Sequence, residues 1–343
     1  MSFFSIIAKA REDDIQRIRE FVKRTEVNFL KAFFAYLEKA ASDEMLEHIV
    51  TLIEASRQGE IPVYLDQFAK SFEGTIFDAV VAAARLETEI LSSDVAAAVR
   101  AAFPDSGPVV GISFNPGNPR AASLVEQQGS RLVREIGEST RAVVTDALIE
   151  GQNNGYGARK TAQTIKENIG LTERQLNAVK NYRRLLEEGS PEALNRELRD
   201  KRFDKTVANA KKKPLSADQI DKMVTRYKEK FVQYRAQVIA RTEAAEAVSN
   251  GRTEALRQQL EATGLGDNAV ERTWSATKDK RTRKTHTHGG LDGKKVRGVD
   301  TPFVSPLTGA KLKAPGDRSL GAPASEVVQC RCTVMHRIIL DAD

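Results

Sequence analysis

Residues 216–262 read SADQIDKMVTRYKEKFVQYRAQVIARTEAAEAVSNGRTEALRQQLEA, and no proline breaks them. Ser216-Ala217-Asp218-Gln219 is a capping box, in which serine oxygen and glutamine side chain each satisfy an N–H that the first helical turn leaves unpaired. Met223, Tyr227, Phe231, Tyr234 and Val238 then recur at three and four, the spacing of one helical face. One helix from Ala217 to about Ala262 is expected. After Gly264 the texture reverses: Gly289-Gly290, Asp292-Gly293, Pro302, Pro306, Gly309, Pro315-Gly316 and Pro323 punctuate short runs at 270–276, 303–304 and 327–338. Turn residues at that density predict a small β-rich module. The fold class expected is α+β, with strands segregated at the C-terminal side of a helical chain.

Upstream, the stretch from Pro119 to about Glu150 carries Val125, Leu132, Ile136 and Val143 on one stripe, a second long amphipathic helix. Asn118 before Pro119 offers an N-cap oxygen and a ring suited to the first helical position. A short helix is expected from Gly157 to Ile169. Another opens with the capping box Thr172-Glu173-Arg174-Gln175, and a further one restarts at Ser190-Pro191. Residues 2–102 read as helical as well, because Ile15, Ile18, Val22 and Phe29, Phe33, Leu37 keep the spacing and Pro62 alone interrupts. Between them, Pro104, Pro108, Pro116 and Pro119 surround a β-like run, Val109 to Phe114. Four divisions follow: an acidic helical module (1–102), a Pro/Gly linker with a short strand (103–118), a long-helix middle (119–263) and a basic β-rich module (264–343).

The 343 residues include 53 Lys+Arg, 47 Asp+Glu, 22 Gly and 2 Cys, with 41% hydrophobic residues and a net charge of +6. That composition suits a globular core and excludes wholesale disorder or a collagen-like chain. No apolar run approaches the ~18–20 residues that span a bilayer, and the apolar opening is too short for a signal-peptide core. A soluble protein used without secretion is expected. Residues 1–102 carry 12 Lys/Arg against 17 Asp/Glu, whereas residues 201–236 carry 11 against 4 and residues 272–318 carry 12 against 4. Such a field suits one end that meets protein and another that meets a polyanion; two solvated faces are the plainer alternative.

Three groups could carry chemistry. His286, His288, Cys330 and Cys332 form a His-Thr-His and a Cys-Arg-Cys pair. On extended chain, positions i and i+2 share a face, so the two pairs would make an N2S2 set suited to zinc. The alternative is two small buried thiols in a strand and two histidines in a basic loop. No disulfide between Cys330 and Cys332 is expected, since same-face strand neighbours lie about 6.5–7 Å apart, at or beyond bridge geometry. Second, Asp279, His286 and His288 amid cations would suit a metal-dependent nuclease or other hydrolase, with carboxylate as ligand and imidazole as base. A basic loop with one acid is more often a phosphate contact or a salt-linked turn. Third, Arg241 and Glu243, two apart on a helix, cannot pair with each other and are expected to anchor the C-terminal module through separate partners.

Arg241-Thr242-Glu243, Trp274, Asp279-x-Arg281-Thr282-Arg283 with His286, Leu291-Asp292-Gly293, Pro315-Gly316-Asp317 and Glu326 to Cys330-Arg331-Cys332 together resemble the phage Mu F-like head morphogenesis domain, the minor capsid proteins of tailed bacteriophages. Ile112 to Pro119 and Gly170-Leu171-Thr172-x-x-Gln175 extend the likeness to roughly residues 110–338. Gln329 stands where that family is expected to have Asn before Cys-Arg-Cys. The resemblance implies a low-copy virion component inside the phage head, assembled in host cytoplasm and recruited to the procapsid through the portal protein. It implies a part in packaging or ejection, contact with major capsid or scaffold protein, no membrane, and no established catalytic residue. Some relatives carry added toxin or transferase domains. Inside a DNA-filled head, Lys278, Lys280, Arg281, Arg283, Lys284, Lys294, Lys295 and Arg297 are expected to contact double-stranded DNA through phosphate rather than base edges. The portal or another head protein is expected to meet the helical side, residues 1–102 and the Val125–Val143 stripe.

Overall fold

The computed structural model describes residues 3–102 and 113–339. In chain order the helices are α1 (Phe3–Ala40), α2 (Asp43–Glu54), α3 (Ile61–Ala69), α4 (Phe72–Ala102), α5 (Pro119–Asn154), α6 (Ala158–Asn168), α7 (Glu173–Glu187), α8 (Asp204–Ala208), α9 (Ala217–Thr263) and α10 (Ala324–Val327). The strands are β1 (Val270–Ser275), β2 (Lys295–Arg297), β3 (Phe303–Val304), β4 (Lys311–Leu312) and β5 (Thr333–Ile338). The class is α+β, as read from the sequence.

Local signals account for four helix starts. Ser216 and Gln219 exchange both capping hydrogen bonds, at 3.0 and 3.3 Å, and Thr172 and Gln175 do the same at 2.9 and 3.3 Å. Asn118 Oδ1 accepts from the Arg120 amide at 2.9 Å, where α5 starts. A further break comes at Ser42, whose hydroxyl caps α2 by accepting from the Met45 amide, a signal the hydrophobic spacing alone passes over. Ser190-Pro191 opens only a five-residue 3₁₀ turn, Pro191–Asn195. Residues 109–112 of the expected β-like run lie outside the described residues, and Ser113 and Phe114 are in no regular element. On α9, Tyr234 is 47% exposed, so the buried stripe loses one of its expected members.

The chain forms two compact units, and they do not follow the linear divisions expected from composition. One draws on residues 32–71 and 131–237. Its core joins Val143 of α5, Leu176, Val179, Tyr182 and Leu185 of α7, and Ile220, Met223, Val224 and Tyr227 of α9. Arg235 is buried there, donates to the Gly170 carbonyl at 2.9 Å, and is pushed down to about 10 by loss of water. It remains charged at neutral pH.

The other unit draws on residues 1–31, 72–130 and 238–343. Its antiparallel sheet runs β2-β1-β5, with Trp274 opposite Val334 and Arg272 opposite His336. One side of its core packs Leu91, Val95 and Val99 of α4 against Leu256 and Leu260 of α9 and against Val270 and Ile338 of the sheet. A second core gathers Trp274, Leu291, Phe303, Leu312, Val327, Cys330, Cys332 and Val334. A β-carbon on Gly251 would lie 2.2 Å from the Val80 carbonyl oxygen, so the contact of α9 with α4 requires glycine. Of the expected acidic module 1–102, residues 1–31 and 72–102 group with the basic sheet and residues 32–71 with the other unit. Leu91, Val95 and Val99 supply three of the eight buried residues of the core on which the basic sheet rests.

Candidate functional site

The expected metal residues meet in part. Strand β1 carries Trp274 inward and leads into a loop closed by three bonds: Trp274 amide to the Lys294 carbonyl, Gly293 amide to the Trp274 carbonyl, and Ala276 amide to Asp292 Oδ1. Inside the loop, Lys284–His286 form a 3₁₀ turn. Gly290 packs so tightly on it that a β-carbon would lie 2.2 Å from the Thr285 carbonyl oxygen. The turn buries His286 and leaves His288 exposed. The 3₁₀ turn ends at His286 and the chain reverses at once in a turn closed by the Gly290 amide on the Thr287 carbonyl at 2.8 Å, so the shared face expected for His286 and His288 on extended chain does not form. The Cys-Arg-Cys segment is not in a strand but in the irregular stretch between α10 and β5; it still alternates, burying Cys330 and Cys332.

Both thiols are free, and both sulfurs lie 3.5 Å from His286 Nδ1. On the far side of the ring, Nε2 stands 2.8 Å from Glu326 Oε2. Glu326 is buried and accepts from the hydroxyls of Thr285 and Thr308, each at 2.9 Å. Burial alone would raise Glu326, but those hydroxyls and His286 outweigh it and keep the carboxyl below its ordinary range. Cys330 is drawn well below the ordinary thiol range by the hydrogen bond from Cys332 and by His286, against burial. Cys332 is pushed up by Cys330 and burial.

Asp279 does not join that cluster. Arg331 grips both its oxygens, with NH2 to Oδ1 at 2.6 Å, while the Arg281 amide donates to Oδ1 at 2.9 Å. The Arg331 hydrogen bonds hold the carboxyl well below the usual range. Arg283 donates to the Val328 carbonyl at 2.6 Å and Thr277 to the Arg331 carbonyl. The basic loop is thereby clasped to the Cys-Arg-Cys segment. Among the described residues, Asp279, His286 and His288 do not converge on one point.

The expected DNA-contacting cations divide. Lys280, Arg281, Lys284 and Lys294 are exposed. Lys278 is exposed but pairs with Asp292 at 3.2 Å, and Lys295 with Glu271 at 2.9 Å. Arg283 is half-buried in its bond to Val328, and Arg297 is exposed and already engaged.

The helix motif anchors the module as expected. Arg241 donates to Gln329 Oε1 at 3.0 Å, Thr242 Oγ1 accepts from the Gln329 amide at 3.0 Å, and Glu243 lies 3.8 Å from Arg318. Gln329 has φ of 57°, a left-handed conformation that Asn adopts more readily than Gln.

Residues 192–335 match a family model described as Phage Mu protein F like protein. That stretch is similar to phage Mu protein F. It takes in Arg241, Glu243, Trp274, Asp279, Arg281, Thr282, His286, Gly293, Cys330, Arg331 and Cys332, whereas Ile112 to Pro119 and Gly170 to Gln175 lie outside it. A relative described as NAD(+)--arginine ADP-ribosyltransferase EFV, from Enterococcus faecalis, is 45% identical over 101 residues, which are 29% of this chain and 18% of that protein. The chain thus matches less than a fifth of that relative. No solved structure matches.

Reading the sequence missed Glu326 as a partner of His286, although it stood inside the quoted motif. It also missed Arg272, Arg252 and Glu87, which hold the Mu F-like sheet in place from buried positions.

Proposed function

We propose that this chain is a minor head protein of a tailed bacteriophage, acting inside the head through non-specific contact with packaged DNA. The observation that carries the reading is the Mu F-like match, and the exposed Lys280, Arg281, Lys284 and Lys294 on its basic loops supply the DNA-facing charge. Phosphate contact releases counterions, and no base-reading element is needed for it. The role is structural rather than catalytic. Asp279 is taken up by Arg331, and His286 is held between two thiols and Glu326, so two of the three groups that the hydrolase reading needs are engaged in holding the loop, and the third, His288, points away on an exposed turn. Portal protein, and major capsid or scaffold protein, are the partners proposed for the helical surfaces. The transferase named for the Enterococcus relative is not carried over.

Binding of the full chain to mixed-sequence duplex DNA, followed by fluorescence anisotropy across a salt series, tests the DNA contact. The log affinity should fall linearly with log salt, and K280E/R281E/K284E/K294E should remove about 3 to 4 from the magnitude of that slope, at roughly 0.9 per phosphate. An unchanged slope would remove these residues from the interface. Cryo-electron microscopy of intact heads tests location, with density expected inside the shell at the portal vertex.

A further inference from the structure

We propose that His286, Cys330 and Cys332 bind one zinc ion through Nδ1 and the two sulfurs, leaving the fourth coordination position to a water molecule. The distances lead to it. A tetrahedral zinc with Zn–N of about 2.0 Å and Zn–S of about 2.3 Å sets each nitrogen–sulfur edge at about 3.5 Å. Both observed Nδ1–sulfur distances are 3.5 Å, and all three donor atoms lie within 4.8 Å of one another. A neutral ring nitrogen has a single hydrogen or a single lone pair, so direct hydrogen bonding serves two converging sulfurs poorly. A shared cation serves both.

The far side of the ring is built for the same purpose. Glu326 at 2.8 Å from Nε2 fixes the proton there and turns Nδ1 into the donor, the carboxylate–histidine arrangement that orients metal-bound imidazoles. Glu326 is in turn held by Thr285 and Thr308. The indole N–H of Trp274 is buried with no hydrogen-bond partner among the described residues. Beside the donors lies a cavity of about 10 Å³, lined also by Thr277, Arg283, Gln329 and Arg331. That volume holds one small ion or one water.

The chemistry of the donors selects the metal. Two thiolates and an imidazole suit zinc and exclude calcium or magnesium, which take oxygen ligands. Two thiolates also cancel the charge of one divalent ion, so the centre adds no net charge beside Arg281, Arg283 and Arg331. Its place in the fold gives the role. The ion joins the His286 turn to the segment entering β5, reinforcing the contacts of Arg283, Thr277 and Arg331 that already clasp the two.

The test uses the full chain purified without chelator, with zinc measured by plasma mass spectrometry and cobalt(II) substituted for it. One equivalent of zinc is expected, together with a tetrahedral d–d spectrum and a thiolate-to-cobalt charge-transfer band. His286→Ala and Cys332→Ser should lose both. Glu326→Gln should keep the spectrum while weakening affinity roughly 10- to 100-fold. His288→Ala should leave stoichiometry and spectrum unchanged; loss of metal in that variant would overturn the three-ligand set. Should the cysteine variants fail to fold, the cobalt titration of the unaltered chain decides alone. A folded chain with no charge-transfer band, whose two thiols react equally fast with and without zinc, would overturn the proposal.

Discussion

His336 on β5 places Nδ1 2.7 Å from Oε1 of Glu87 on α4, and both residues are buried. Arg252 on α9 completes the group, donating to Glu87 Oε2 at 2.5 Å and to the Val334 carbonyl at 2.8 Å. Burial alone would raise Glu87, but Arg252 and His336 outweigh it and keep its pKa below 4.5. Burial, outweighing the pull of Glu87, holds His336 below 6.5. In both cases the unfolded chain takes up the proton more readily, so stability is present above the ordinary pKa and is lost as pH falls. Stability should decline from about pH 6.5 downward and more steeply below about pH 4.5. Urea unfolding midpoints across that range measure it. Glu87→Gln leaves Arg252 uncompensated and should cost about 3–5 kcal/mol at neutral pH.

Arg272 should prove as costly to replace. Its guanidinium donates to the carbonyls of Gly298 and Lys313, both at 2.7 Å, and to that of Thr301. Burial lowers its pKa to about 10, so it stays charged at neutral pH. Arg272→Met leaves these carbonyls unpaired and should cost about 3 kcal/mol or more. Arg272→Lys should not rescue it, because one ammonium cannot reproduce the fork. Denaturant midpoints of the two variants should fall together.

Two glycines in helices should respond with opposite signs. Gly251→Ala drives a methyl into the Val80 carbonyl and should destabilise by about 1–3 kcal/mol. Around Gly74 of α4 a β-carbon would meet nothing within 4 Å. Gly74→Ala should therefore stabilise by about 0.5–1 kcal/mol through helix propensity. Thermal unfolding of the pair checks both; equal shifts would contradict the α4–α9 packing.

Thr242→Val removes the acceptor of the Gln329 amide while keeping the shape of the side chain. A loss of about 1 kcal/mol is expected, and amide exchange at Gln329 should accelerate by more than the global loss explains. Unchanged protection there would mean that Thr242 does not hold the turn.

Much of the helical part was legible because its signals are local. The capping boxes at Thr172 and Ser216, the Asn118-Pro119 start and the C-terminal density of turns each act within a few residues. What escaped was tertiary. Whether His288 shares a face with His286 depends on a 3₁₀ turn held by the close packing of Gly290, which a pattern of i and i+2 cannot reveal. The cysteines alternated as expected without being in a strand. Charge composition separated an acidic beginning from a basic end, yet Glu87 and Leu91 lie in the same core as His336 and Ile338. Nothing near Glu87 in the sequence announces a partner 249 positions away.

The interleaving of the two units also sets an order on the ribosome. The unit that uses residues 32–71 and 131–237 has its whole sequence in hand about a hundred residues before the other. During that interval α4 waits first for Arg252, Leu256 and Leu260 of α9 and then for His336 and Ile338 of β5. Nascent chains of this protein are therefore most exposed to aggregation and to holding chaperones between completion of the first unit and emergence of β5.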